Sequence, residues 1–213
     1  MFRKTILFDL DGTLTDSGEG IMKSAAMVLE HYGINFDGWQ SLRDFVGPPL
    51  HENFVKHGVP SDQADAAVEL YRSRYNTIGK FENHLYDGIP ELLARLQEEG
   101  YQLLVATSKP EALSIEIMEH FGIAKYFHRI CGASLDRSRS SKEDVIDYLL
   151  NENETAEEII MVGDTTFDII GAAAHKIPGI GVSWGYGKVQ DMIDAGASAI
   201  AYTTEELYAL LTK

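Results

Sequence analysis

The sequence predicts an α/β protein, a doubly wound parallel sheet with an all-helical domain inserted after its first strand. Three observations predict it. Short apolar runs at Thr5–Phe8, Gln102–Ala106 and Ile159–Val162 have the length and composition of strands buried on both faces. From residue 85 onward such runs alternate with helical patterns, as right-handed parallel crossovers require. Between 16 and 84, by contrast, two amphipathic helices follow one another with no strand-like run between them. The expected division is a core of residues 1–15 and 85–213 with a helical domain of 16–84.

The opening strand ends in Asp9-Leu10-Asp11-Gly12-Thr13. Side chains at i and i+2 leave an extended chain on one side, so both carboxylates point beyond the strand's carboxyl end. Two like charges so close call for a positive partner. Ser17 to Tyr32 follows as a helix with Ile21, Ala25, Val28, Leu29 and Tyr32 on one face and Gly33 as its stop. Residues 36–58 break into turns and short helical pieces, and Asp62 to Tyr75 is a second helix. Asp87-Gly88-Ile89-Pro90 opens a helix that ends at Gly100. The strand Gln102–Ala106 gives way at Thr107-Ser108-Lys109-Pro110 to a helix running to His120. A short strand near Arg129–Gly132 precedes Ser140-x-x-Glu143, read as a capping box for a helix to Leu150. Ile159–Val162 ends at Gly163-Asp164, and a helix rich in small residues spans Phe167 to His175. Ile180–Val182 and Ala199–Ala201 are further short strands, and Thr203-x-x-Glu206 caps the last helix.

The net charge of −15 argues against a nucleic-acid surface, which needs basic stripes, and suits a monomer or weak dimer. The lone cysteine, Cys131, excludes an internal disulfide, agrees with a reducing cytoplasm and fits a buried strand position. No apolar run approaches a membrane span, and the start of the chain turns acidic too soon for a signal peptide. The seven histidines show no metal-ligand spacing.

Four places at strand ends or helix starts carry groups suited to phosphoryl chemistry. They are Asp9 with Asp11, Thr107, Lys142, and Asp164 with Asp168. Lys142 is the most telling, because the macrodipole disfavours a cation in a helix's first turn by ~0.3–1 kcal/mol, and a broken local rule marks a site. A carboxylate nucleophile, Asp9, can split hydrolysis of a phosphate monoester into formation and breakdown of an aspartyl phosphate. Asp11 can protonate the leaving oxygen and then take a proton from water. Mg²⁺, a hard cation held by carboxylates, phosphate and water, offsets the charge. Its expected ligands are Asp9, the backbone carbonyl of Asp11 and Asp164, with Asp168 behind them. Lys142 is expected to bridge phosphate and Asp9, and Thr107 with the N–H groups of a helix start to hold phosphoryl oxygens.

In order, Asp9-x-Asp11-Gly-Thr, Thr107, Lys142 and Gly163-Asp164-x-x-x-Asp168 resemble the four motifs of the haloacid dehalogenase superfamily. The helical insertion after the first motif resembles the small cap of its phosphoglycolate phosphatase-like branch. Within that branch, Phe45-Val46-Gly47-Pro48-Pro49-Leu50, Tyr86–Glu91, Val105–Pro110 and Gly132-Ala133-Ser134-Leu135-Asp136 look most like a 5′-nucleotidase subgroup. Where such sequences have basic or polar residues after the first motif-four aspartate, this one has Thr165-Thr166-Phe167. The resemblance implies a Rossmann-type core and a phosphatase of nucleoside 5′-monophosphates. The alternatives are a phosphoglycolate or other small phosphate-ester phosphatase, a phosphomutase, or a non-enzymatic phospho-acceptor module. The expected partner is a small phosphorylated metabolite or nucleotide. Thr15–Ser17 and Asn83–Leu85 are the expected hinges. Arg43, Gly47, Ser108 and Lys109 are the candidate substrate contacts, with Lys23 behind them; Tyr71, Tyr75 and Tyr86 read first as core, as tyrosine at helical spacing more often is, with base stacking as the alternative.

Overall fold

The computed structural model describes residues 2–134, 136, 138–152 and 155–213. Leu135, part of one quoted segment, lies outside them. The chain forms two compact units, Met1–Thr15 with Leu85–Lys213, and Asp16–His84.

The larger unit is built on a parallel sheet. Its strands are β1 (Thr5–Phe8), β4 (Gln102–Pro110), β5 (Arg129–Ala133), β6 (Ile159–Gly163), β7 (Gly179–Val182) and β8 (Ala199–Ala201), in the spatial order β5-β4-β1-β6-β7-β8. The labels β2 and β3 belong to the two-residue strands Thr15–Asp16 and His84–Leu85, which pair where the chain passes between units. β1 lies between β4 and β6, with Phe8 level with Val105 and Val162. The order therefore reverses at β1, and the crevice beyond its carboxyl end is where such sheets bind ligands.

Both faces of the sheet are covered, which is why its strands read as continuous apolar runs. Ile6, Phe8, Leu103, Val105, Ile160 and Val162 point into one cluster, with Ile89, Leu92, Leu93 and Leu96 of α4 (Ile89–Glu98) and Leu207 and Leu211 of α9 (Thr204–Leu211). The alternate residues Leu7, Leu104, Ala106 and Met161 pack with Val145, Ile146 and Leu149 of α6 (Lys142–Glu152) and Ala172 of α7 (Thr166–Ala174). Cys131 is fully buried in this second cluster.

Two local expectations are corrected, and one helix was not anticipated. β4 does not stop at Ala106 but continues extended to Pro110, and α5 (Glu111–His120) begins only beyond it. Proline disfavours the α region for the residue before it, so Lys109 stays extended. Thr107 is consequently not at a helix start, and the N–H groups of α5 do not follow it directly. The capping box of α6 is shifted by one residue. Asp144 N–H donates to Ser141 Oγ at 3.1 Å, and the Asp144 carboxylate accepts from the N–H groups of Ser141 and Ser140. Asp144 takes the place expected of Glu143 because the helix starts at Lys142, which makes Ser141 the N-cap. A short helix, α8 (Val189–Asp194), had no clear periodic signal at six residues.

The smaller unit contains α1 (Gly18–His31), α2 (Leu50–Lys56) and α3 (Ala64–Tyr75), with 3₁₀ turns between them. Ala25, Val28, Leu29, Leu42, Phe45, Phe54, Ala67 and Tyr71 are buried in it. Tyr71 and Tyr75 are core residues, as their helical spacing led us to expect, and not stacking platforms. Each is 4% exposed, and their rings stack on each other at 5.3 Å. Lys23 stays partly exposed, pairing with Glu19 and sharing Glu82 with the bidentate guanidinium of Arg74. Among the described residues, no helix is long and apolar enough to cross a membrane.

Candidate active site

Beyond the carboxyl ends of β1 and β6, the chain buries three carboxylates, Asp9, Asp164 and Asp168. Each offers an oxygen within 4.8 Å of the others. Asp9 is the first residue after β1, and Asp164 the first after β6. Asp168 enters from the first turn of α7. Its Oδ2 accepts from both the N–H and the hydroxyl of Thr165, at 3.0 and 2.9 Å. Thr165, which replaces the residue type the resemblance led one to expect, thus fixes Asp168, while Phe167 turns 54% exposed to solvent.

One ammonium group serves this cluster. Lys142 is 5% exposed, and its Nζ lies 2.8 Å from Asp9 Oδ1 and 2.8 Å from Asp168 Oδ1. It also donates to the Ala106 carbonyl at 2.8 Å, beside the buried Thr107. The misfit of a lysine at a helix N-terminus is resolved here, because its charge is spent on buried acids rather than on the helix dipole.

The balance of charge remains negative. Three carboxylates against one ammonium leave a net −2, and burial raises the free energy of each charged form. Burial pushes Asp9 up to about 6, with Asp168 and Asp11 adding to the rise and Lys142 opposing it. Asp164 is held well above the ordinary carboxylate range by burial, then by Asp168 and Asp9. Burial works against the charge on Lys142, but Asp168 and Asp9 more than offset it and keep the ammonium protonated. Asp9 thus rises despite its contact with Lys142, since desolvation and neighbouring acids outweigh a cation that it must share. An all-oxygen donor set with unbalanced negative charge suits a hard divalent cation.

The loops around the acids are shaped to one another. Gly12 has φ +83°, and a Cβ there would stand 2.2 Å from Asp164 Oδ2. A Cβ on Gly185 would stand 2.3 Å from Asp164 Cβ. The loop after β7 was not anticipated as part of the site. Tyr186 N–H donates to Asp164 Oδ2 at 2.8 Å, and Trp184 Nε1 donates to the Thr13 carbonyl at 3.1 Å. The visible signal for it is Gly185-x-Gly187 directly after a strand.

Asp11 pairs with Lys109, whose Nζ lies 2.7 Å from Asp11 Oδ2. Ser108 is exposed on the same arm of β4. Arg43 and Gly47 belong to the smaller unit, both exposed, at a 3₁₀ turn and at a loop position with φ +104°.

Residues 6–182 match the family model described as haloacid dehalogenase-like hydrolase. The 5′-nucleotidase of Pseudomonas aeruginosa is 42% identical over 189 residues, covering 88% of this chain and 86% of that protein. The tyrosine-protein kinase PtkA of Mycobacterium tuberculosis is 43% identical over 206 residues, covering 95% of this chain and 70% of that protein. The crystal structure of a predicted phosphatase from Clostridium acetobutylicum superposes with a TM-score of 0.92 at 42% identity, covering 100% of this chain and 99% of that one. With this fold and these acids, the chain belongs to the haloacid dehalogenase-like hydrolase family, as one of its phosphatases.

Proposed function

We propose that the protein hydrolyses nucleoside 5′-monophosphates with Mg²⁺, through an aspartyl phosphate on Asp9. The observation that carries this reading is the burial of Asp9, Asp164 and Asp168 around one lysine beyond the ends of β1 and β6. Held by Asp9, the backbone carbonyl of Asp11 and Asp164, Mg²⁺ supplies the positive charge that lets an anionic nucleophile meet a phosphate dianion. Asp168 orients Lys142 and the acids. Lys142 holds Asp9 in place and meets a phosphoryl oxygen, and Thr107 binds another through its hydroxyl.

An Asp9 oxygen bonds to phosphorus as the ester P–O bond breaks, and the proton on Asp11 passes to the departing hydroxyl oxygen. Water then bonds to phosphorus as the P–O bond to Asp9 breaks, its proton returns to Asp11, and phosphate leaves. Arg43, Gly47 and Ser108 are the proposed contacts for the leaving group. The nucleotide preference rests on the subgroup resemblance and on the P. aeruginosa relative's name.

The name of the mycobacterial relative favours a second reading, in which a tyrosine hydroxyl takes the phosphoryl group from Asp9 in place of water. One experiment separates the two. Phosphate release is measured over nucleoside 5′-monophosphates, phosphoglycolate and sugar phosphates, with Mg²⁺ and with EDTA, alongside transfer from labelled ATP to a tyrosine-containing peptide. Release from nucleotides that EDTA abolishes is expected. Faster turnover of phosphoglycolate than of any nucleotide would overturn the substrate preference, and label on the peptide without phosphate release would overturn hydrolysis.

A further inference from the structure

Lys109 stands in the sequence as a cation available to substrate, yet the fold commits it to an acid. Its side chain is 7% exposed, and its ammonium contacts Asp11 Oδ2 at 2.7 Å across a sequence separation of 98 residues. The other carboxylate oxygen, Asp11 Oδ1, is buried and has no hydrogen-bond partner among the described residues. One oxygen of the carboxyl group is therefore tethered, and its twin is left without a bond.

The backbone explains how Lys109 reaches this position. Pro110 keeps Lys109 out of the α region and delays α5 to Glu111, so the end of β4 projects as an extended arm. Lys109 N–H rests on Thr107 Oγ1 at 3.3 Å, which stiffens the arm. A shorter β4, with the helix starting at Thr107, would carry Lys109 onto a helical turn instead.

A carboxyl group that relays a proton must present one oxygen in a fixed direction. An untethered aspartate has several χ1 wells and a broad χ2, most of which aim the proton away from the reacting ester. We infer that Lys109 is a positioning residue for Asp11, anchoring Oδ2 so that Oδ1 faces the leaving-group oxygen. The inference rests on the assignment of Asp11 as proton donor in the proposed reaction. Oδ2 accepts from Lys109 in both half-reactions, as the carbonyl oxygen when Oδ1 carries the proton and as a carboxylate oxygen when it does not. The proton leaves Oδ1 for the departing oxygen and returns to Oδ1 from water, so no further reactant is needed.

The test is a leaving-group comparison on Lys109→Met. A nucleoside 5′-monophosphate expels a poor alkoxide that must be protonated, whereas p-nitrophenyl phosphate expels a phenolate that needs no proton. The quantity read is kcat/KM, which ends at transfer to Asp9 and is blind to the later hydrolysis step. General acid catalysis contributes about 10²–10⁴-fold, so kcat/KM on the nucleotide should fall by that range and on p-nitrophenyl phosphate by under about tenfold. Asp11→Asn should show the same contrast, and the double variant should lose no more than Asp11→Asn alone. Thermal midpoints of all three variants identify any loss that comes from unfolding. Equal losses on both substrates, or a raised KM with unchanged kcat, would overturn the inference and make Lys109 a phosphate ligand. Absence of phosphate release by the wild-type protein from either ester would instead overturn the proposed reaction itself.

Discussion

The buried acids make a prediction in which the loss of the proposed nucleophile stabilises the fold. Asp9 in the metal-free protein holds its proton up to about pH 6, against 3.8 ordinarily, chiefly because burial disfavours its charge. The native state therefore binds that proton more tightly than the unfolded chain does. The contribution of Asp9 to stability is greatest below about pH 4, falls as pH rises toward 6, and stays reduced above. The gap of roughly two pH units corresponds to about 3 kcal/mol at ~1.36 kcal/mol per unit. Asparagine approximates the protonated aspartate, so Asp9→Asn should gain up to about 3 kcal/mol at pH 7.5 in EDTA, and almost nothing at pH 4. The assay is urea denaturation followed by Trp184 fluorescence in a Trp39→Phe background. Trp184 lies in the larger unit and Trp39 in the smaller, so the signal reports only the unit that holds the acids. With saturating Mg²⁺ the order should reverse, because the wild-type protein gains binding free energy that the variant forfeits. Turnover should be lost throughout. An Asp9→Asn protein no more stable than wild type at pH 7.5 in EDTA would refute the reasoning, as would an equal gain at both pH values.

Removing the shared cation should have the opposite effect. Lys142→Met strands Asp9 and Asp168 without their ammonium and should cost about 3–5 kcal/mol in the same denaturation assay; a cost below about 1 kcal/mol would show the pairs to be weak. Gly12→Ala forces a side chain into a left-handed backbone and against Asp164. It should lose about 1–3 kcal/mol from strain alone and weaken Mg²⁺ binding measured by calorimetry, whereas wild-type-like values in both would contradict the close packing. Ser141→Ala should cost about 0.5–2 kcal/mol as the loss of an N-cap, while Ser140→Ala stays within about 0.5 kcal/mol. The reverse order would restore the capping box to Ser140 and Glu143.

Much of the site was legible because its residues announce themselves locally. The apolar run Thr5–Phe8 can only be a buried strand, and two carboxylates spaced i and i+2 at its end share a direction. Lys142 stood out by breaking a helix rule, and the structure shows what it gains in return. Register within a turn was less legible. Ser140 and Ser141 are chemically identical candidates for the N-cap, and only the helix start at Lys142 selects between them. Tyrosines at helical spacing favour a core over a binding face without deciding between them, and packing turned Tyr71 and Tyr75 inward.

Taken alone, the sequence determined the class of fold, the order of its elements and which acids stand at strand ends, since each depends on neighbours a few residues away. Tertiary structure decided which charges meet. Strand order set β1 between β4 and β6, and so brought Lys109 to Asp11, Lys142 to Asp9, and the Trp184–Tyr186 loop to Thr13 and Asp164. Apart from Tyr186 and Asp164, those contacts join residues about 100 to 170 positions apart. Their geometry is fixed by sheet register and helix packing across the whole core, which no local pattern of residues encodes.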